Sequence, residues 1–178
     1  MWSDFFGETG FGQSKRGSVV STLEQMYQQV ILDHAKHPVG HGLVDLASAD
    51  GHLAGESHQV NPTCGDEVTL RVDVTPEGSV AGVSWEGQGC SISQASVSVM
   101  TSLVEGASLA EVSRLDGLFH DLMSSRGKGL DDDAAEDALG DATAFTGVSQ
   151  YPARIKCALL GWAALKDSLA RSGALATS

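Results

Sequence analysis

Three cysteines are the only thiols of this chain, and each lies in a short segment rich in chemically useful groups. The segments are Asn61-Pro62-Thr63-Cys64-Gly65-Asp66, Gly89-Cys90-Ser91-Ile92-Ser93 and Ala153-Arg154-Ile155-Lys156-Cys157. Three thiolates and the Asp66 carboxylate are a four-coordinate donor set for a borderline-soft metal, most simply zinc. Cys64 and Asp66, two apart, can share one side of an extended segment. Pro62 stiffens the turn before them, and Gly65 permits an unusual backbone angle. Cys90 stands just ahead of a predicted helix, whose N-terminus lowers a thiol's pKa. Cys157 falls in the second turn of the last predicted helix. Spacing leaves a second reading open, because free cysteines are commonly small buried hydrophobes and none of these forms a CxxC pair.

The elements that must position these groups follow from periodicity and punctuation. Ser21-Thr22-Leu23-Glu24 fits a capping box, and Leu23, Met26, Tyr27, Val30, Ile31 and His34 recur at helical spacing until Pro38 and Gly40. Residues 38–60 read as loop. Val68, Leu70, Val72 and Val74 alternate with polar residues as in a half-buried strand. Pro76-Glu77-Gly78-Ser79 is a turn, and Val80 to Trp85 is the returning strand of an antiparallel hairpin. Ser91 can cap a helix bearing Ile92, Ala95, Val99, Met100 and Leu103. Ser108-Leu109-Ala110-Glu111 opens another, with Val112, Leu115, Leu118, Phe119, Leu122 and Met123 on one face. A connector at 124–135, a short helix to about Phe145 and a final helix with Pro152 in its first turn complete the chain. Strands first and helices after predict an α+β domain.

A chain of 178 residues suggests one domain, long enough to bury a core without staples. We divide it into an N-terminal tail at 1–20, a folded domain at 21–172 and a C-terminal tail at 173–178. The first tail carries Trp2, Phe5, Phe6 and Phe11, which suit either a leader or a docking segment. A net charge of −12 repels phosphate backbones and anionic membrane surfaces, so no nucleic-acid or membrane partner is expected. An odd cysteine count without a secretory signal argues against a disulfide framework and for a reducing cytoplasm.

The three cysteine segments, in this order, resemble those of the SufU proteins, within the wider group of IscU-like and NifU-like iron–sulfur assembly proteins. The likeness covers about Leu23 to Leu169. It rests on LEQMYQQVILDHAKHP at 23–38, NPTCGD at 61–66, EGQGCSIS at 86–93 and YPARIKCALLGW at 151–162. The long stretch between Cys90 and Cys157 resembles the insertion of SufU proteins. Lys156 stands where scaffold proteins of the group typically carry histidine. The resemblance implies a small antiparallel sheet packed against several α-helices. It implies a zinc site made by Cys64, Asp66, Cys90 and Cys157, and sulfur acceptance on Cys64. The implied partner is a SufS-type, pyridoxal-phosphate-dependent cysteine desulfurase, with an iron–sulfur scaffold downstream. Arg154, on the same helical side as Cys157, could stabilise a thiolate or persulfide anion; a surface ion pair is the competing reading.

Two other functions remain open at this point. One is a scaffold that assembles a [2Fe–2S] cluster on the same cysteines. The other is a non-catalytic binding module stabilised by zinc. Asp66 favours sulfur transfer, being a more replaceable ligand than the all-Cys or Cys/His set of a purely structural site. Three lesser features carry little. Pro38 separates His34 and His37 from His41. The acidic run Asp131-Asp132-Asp133, Glu136, Asp137 lacks the glycine and later glutamate of a calcium loop and better suits a solvated helix start. Gly87-x-Gly89 is too short for a nucleotide-binding fingerprint.

Overall fold

The computed structural model describes residues 18–45 and 50–177; most of the predicted N-terminal tail, with its four aromatics, lies outside them. Helix α1 spans Ser18–Lys36, strands β1, β2 and β3 span Leu53–Asn61, Asp66–Val74 and Val80–Gln88, and helix α2 spans Ser91–Val104. Helix α3 spans Leu109–Met123, α4 spans Asp133–Leu139, a 3-10 helix spans Gly140–Gln150, and α5 spans Pro152–Ser172. A last 3-10 turn, Ala174–Thr177, follows Gly173. Among the described residues no helix is long and apolar enough to cross a membrane.

The three strands form one antiparallel sheet in the order β1-β2-β3. In β2, Asp66, Val68, Leu70, Val72 and Val74 all face inward and are buried. The predicted hairpin is present, with a bulge between Asp73 and Val74.

β1 corrects the loop reading of residues 38–60. Its inward positions include Gly55, Ser57 and Asn61, so the apolar alternation of a half-buried strand is missing. The reason is α5, which lies directly on this strand. A Cβ at Gly55 would run into the Ser168 carbonyl oxygen and come within 2.9 Å of the Ser172 nitrogen. The helix is held there by polar contacts. Ser57 donates to Asp167 at 2.6 Å, and Ser168 donates to the Leu70 carbonyl at 3.1 Å. Together with the Arg171 guanidinium, the Ser57 hydroxyl keeps the Asp167 carboxyl below its ordinary pKa.

α1 begins three residues before the predicted capping box and packs on α2 and the 3-10 helix. Its core contact starts only at Tyr27 and is deepest at Ile31. Leu23 and Met26, read as part of the core stripe, are 46% and 60% exposed. Leu23 instead borders an open groove of about 360 Å³ with Tyr27, Gly129 and Tyr151. His34 bonds Ser98 at 2.7 Å and Asp141 at 3.1 Å, whereas His41 meets the Trp85 ring edge-on at 5.0 Å. The sequence-adjacent histidines are therefore dispersed.

Ser108 caps α3 as its sequence predicts, accepting from the Glu111 N–H at 3.1 Å. Asp132 likewise caps α4, so part of the acidic run does open a helix. Trp162 of α5 stacks on Phe119 of α3 at 5.1 Å, and Phe145 closes edge-on at 5.9 Å. α2 and α5 approach closely at Gly161, where a Cβ would lie 2.6 Å from Val97 Cγ2. Ser96 donates to the Ala158 carbonyl at 2.6 Å across the same contact. This packing brings the start of α2 and the early turns of α5 to the same end of the sheet as the β1–β2 turn.

Candidate metal centre

The β1–β2 turn is built by its own motif. The Asn61 carbonyl accepts from the Gly65 N–H at 2.8 Å, and Asn61 Oδ1 accepts from the Thr63 N–H at 3.1 Å. Gly65 has φ +76°, a left-handed conformation that strains any other residue but asparagine or aspartate. Cys64 therefore sits in a tight turn, not in the extended segment that its spacing from Asp66 suggested. The turn leaves Cys64 half-buried and delivers Asp66, 1% exposed, to the inner face of β2.

The second segment meets the first across the sheet end. Cys90 is the N-cap of α2 and makes no side-chain cap. This corrects the expectation that Ser91 caps the helix. The Cys90 N–H donates to Asp66 Oδ1 at 3.1 Å, and its thiol lies 3.7 Å from Asp66 Oδ2. Gly89 makes that approach possible, because a Cβ there would stand 2.6 Å from both Asp66 Oδ1 and Ser93 Oγ. Ser93 is itself buried and donates to the Cys90 carbonyl at 3.0 Å. We expect Gly89→Ala to displace the Asp66 carboxylate and weaken zinc binding about tenfold, the usual cost of disturbing a ligand's support. Competition with a chromophoric chelator measures it; wild-type affinity would show that Asp66 is free to shift.

Cys157, 1% exposed, enters from the second turn of α5. Its sulfur is 3.6 Å from Cys64 Sγ and 3.7 Å from the Ala153 carbonyl. The neighbouring Cys157 thiol above all pushes the Cys90 thiol down to about 6. The Ser93 and Ile92 N–H groups at the start of α2 act in the same direction, against burial and Asp66. Cys90 in turn, with burial, pushes the Cys157 thiol up.

Donor atoms of Cys64, Asp66 and Cys157 all lie within 4.8 Å of one another. Cys90 stands outside that tightest group but is joined to it through Asp66 and Cys157. Tetrahedral zinc with Zn–S bonds of about 2.3 Å separates its sulfurs by about 3.8 Å. The 3.6 Å between the Cys64 and Cys157 sulfurs is close to that spacing, and the 3.7 Å between Cys90 Sγ and Asp66 Oδ2 is close to the roughly 3.5 Å of a sulfur and an oxygen on one such zinc. Asp66 makes no ion pair among the described residues, although a buried carboxylate is costly without a cation. The four residues thus fit a thiophilic divalent cation. Arg154 is half-buried on α5, one turn before Cys157, and Lys156 is exposed. The sequence reading missed the supporting parts of the site, Gly89, Ser93 and the side chain of Asn61. Glycine between a strand end and the cysteine was the signal for the first.

The NifU-like N-terminal domain family matches residues 26–158. A Bacillus subtilis protein, the zinc-dependent sulfurtransferase SufU, is 38% identical over 151 residues, covering 85% of this chain and 94% of its own. The iron–sulfur cluster assembly scaffold protein IscU of Streptococcus pyogenes is 36% identical over 153 residues, covering 86% and 88%. A crystal structure from Fervidobacterium islandicum, of a protein proposed as an iron–sulfur cluster assembly scaffold for the SUF system, superposes with a TM-score of 0.65. It is 34% identical, covering 82% of this chain and 98% of that one. Fold, motif order and coverage agree, and the chain belongs to the NifU-like N-terminal domain family, among the SufU- and IscU-type iron–sulfur cluster assembly proteins.

Proposed function

We infer that this protein is a zinc-dependent sulfurtransferase of iron–sulfur cluster assembly, accepting persulfide sulfur on Cys64. The observation that carries this reading is the asymmetry of the cluster. Cys157 and Asp66 are each 1% exposed, whereas Cys64 and Cys90 are half-buried; Cys90 is tied to Asp66 at the start of α2, while Cys64 stands on a turn whose Pro62, Thr63 and Gly65 are exposed. A group that must meet another protein's sulfur has to be the accessible one. Cys64, Asp66, Cys90 and Cys157 would hold the metal. Zinc, when bound, keeps its thiol ligands deprotonated at neutral pH and brings no redox chemistry that would destroy a persulfide.

The donor is a persulfide, R–S–SH, on a SufS-type, pyridoxal-phosphate-dependent cysteine desulfurase. The Cys64 thiolate attacks the outer sulfur, as in thiol–disulfide exchange. The bond between the two donor sulfurs breaks, and the new bond joins Cys64 Sγ to the outer sulfur. The donor leaves as a thiolate, and the proton stays on the transferred sulfur. Arg154, one turn before Cys157, supplies positive charge to the anions formed. A downstream iron–sulfur scaffold then takes the sulfur.

A second reading, the [2Fe–2S] scaffold, is favoured by the likeness to the streptococcal IscU. The exposed Lys156 at the position before Cys157 counts against it. Metal analysis of freshly purified, oxygen-protected protein separates the two. About one zinc per chain without colour supports the sulfurtransferase. Iron with visible charge-transfer bands supports the scaffold. Zinc with no stimulation of a desulfurase leaves only a zinc-stabilised binding module.

A further inference from the structure

Asn61 carries a buried side-chain donor that nothing uses. The residue is 7% exposed, and its Nδ2 is the one buried side-chain nitrogen or oxygen without a hydrogen-bond partner among the described residues. The identity of the atom is fixed chemically. The other corner of the carboxamide accepts from the Thr63 N–H at 3.1 Å, so it must be the oxygen, and the unpartnered corner must be the amino group. A buried donor left unmatched costs about 1–3 kcal/mol. A simple turn former would not need it, because aspartate offers the same acceptor to Thr63 and no orphan.

The sheet register says where this donor stands. Asn61 pairs directly with Asp66, and both side chains are on the buried face. Directly opposed residues on one face have Cβ atoms about 4.5–5.5 Å apart. The carboxamide therefore flanks the candidate ligand cluster, at the base of the same turn that carries Cys64. It makes no bond to Asp66. Cys157 already has Cys64, Cys90 and the Ala153 carbonyl around it, and Asp66 has Cys90. Cys64 has a sulfur neighbour but no N–H donor among the bonds of the described residues.

We propose that the Asn61 amino group is the hydrogen-bond donor for anionic sulfur on Cys64, whether thiolate or newly accepted persulfide. This rests on the sulfur-acceptor reading above. The Cys64 thiolate, and the persulfide once its proton is lost, carry charge that no other N–H among the described residues meets, and a neutral donor held beside the turn reaches it with a small side-chain shift. Neutrality matters here, because a cationic side chain at this position would compete with a metal for Asp66.

Two substitutions separate this role from turn building. Asn61→Asp keeps the acceptor for the Thr63 N–H and removes the donor. Asn61→Ala removes both. In zinc-loaded protein with metal content and melting temperature recorded, two rates are read on Cys64: alkylation by iodoacetamide across pH, and sulfur loading from a cysteine desulfurase. Both variants are expected to lose about tenfold in each rate at neutral pH. Asn61→Asp should do so with the Thr63 turn bond kept, whereas Asn61→Ala loses that bond as well. If Asn61→Asp alkylates and loads like wild type while Asn61→Ala merely melts earlier, Asn61 is a turn residue and the proposal is wrong. If wild-type Cys64 never loads, the acceptor reading fails on its own. The alkylation rates then still decide whether Asn61 addresses the Cys64 sulfur.

Discussion

Cys64→Ala is expected to abolish sulfur acceptance while leaving the fold intact. The residue lies on the β1–β2 turn, only partly buried at the edge of the core, and the turn is held by the Asn61 and Gly65 backbone and the Asn61 side chain. Alanine there removes the thiol without opening a cavity in the Phe119–Phe145–Trp162 cluster. Asp66, Cys90 and Cys157 would remain of the proposed ligands, so zinc affinity should fall but not vanish. Incubation with a desulfurase and cysteine, followed by intact mass measurement without reductant, should show added sulfur on wild type and none on the variant. Alanine at Cys157 should behave differently, losing metal first, because that sulfur is buried on α5 beside the other proposed ligands. Full sulfur loading by Cys64→Ala would move the acceptor to Cys90, whose thiol is the one pushed down to about 6.

The largest structural effect is expected at Gly55. Any Cβ meets the Ser168 carbonyl oxygen, a backbone atom near the C-terminal end of α5 that cannot swing aside. Gly55→Ala must lift α5 from the sheet or bend β1 outward, costing about 3 kcal/mol by the scale of core overpacking. For a domain of this size the melting temperature should drop by about 10 °C. Gly82→Ala is the control, since a Cβ on that β3 residue meets nothing within 4 Å. Because α5 carries Cys157, Gly55→Ala should also lower zinc affinity, whereas Gly82→Ala should not. Equal melting temperatures for the two variants would mean that α5 does not lie on β1 as described.

Gly55 also explains why the fold was only partly legible from sequence. Signals confined to a few neighbouring residues read correctly, such as the Ser108 cap, the Pro152 helix start and the alternation of β2. β1 was invisible because the helix backbone above it admits only small and polar side chains at its inward positions, and that demand comes from residues more than a hundred positions away. The overextended stripe on α1 failed for a related reason. Leu23 and Met26 keep helical spacing, but among the described residues Leu23 borders the open groove beside Tyr151 and joins no core cluster. The site followed the same rule. Each cysteine segment was readable alone, and the resemblance supplied the grouping of Cys64, Asp66, Cys90 and Cys157. Their meeting depends on β1–β2 register and on the α2–α5 contact at Gly161, which no local spacing encodes.

The central claim is that sulfur arrives on Cys64 of a zinc-bearing protein. Peptide mapping of the zinc-loaded chain after one exposure to persulfidated desulfurase, with persulfides trapped by an alkylating agent, tests it most directly. The account predicts one added sulfur, on the peptide containing Cys64, and unmodified Cys90 and Cys157. Sulfur on Cys90 or Cys157 instead, or none on any cysteine while zinc stays bound, would contradict it.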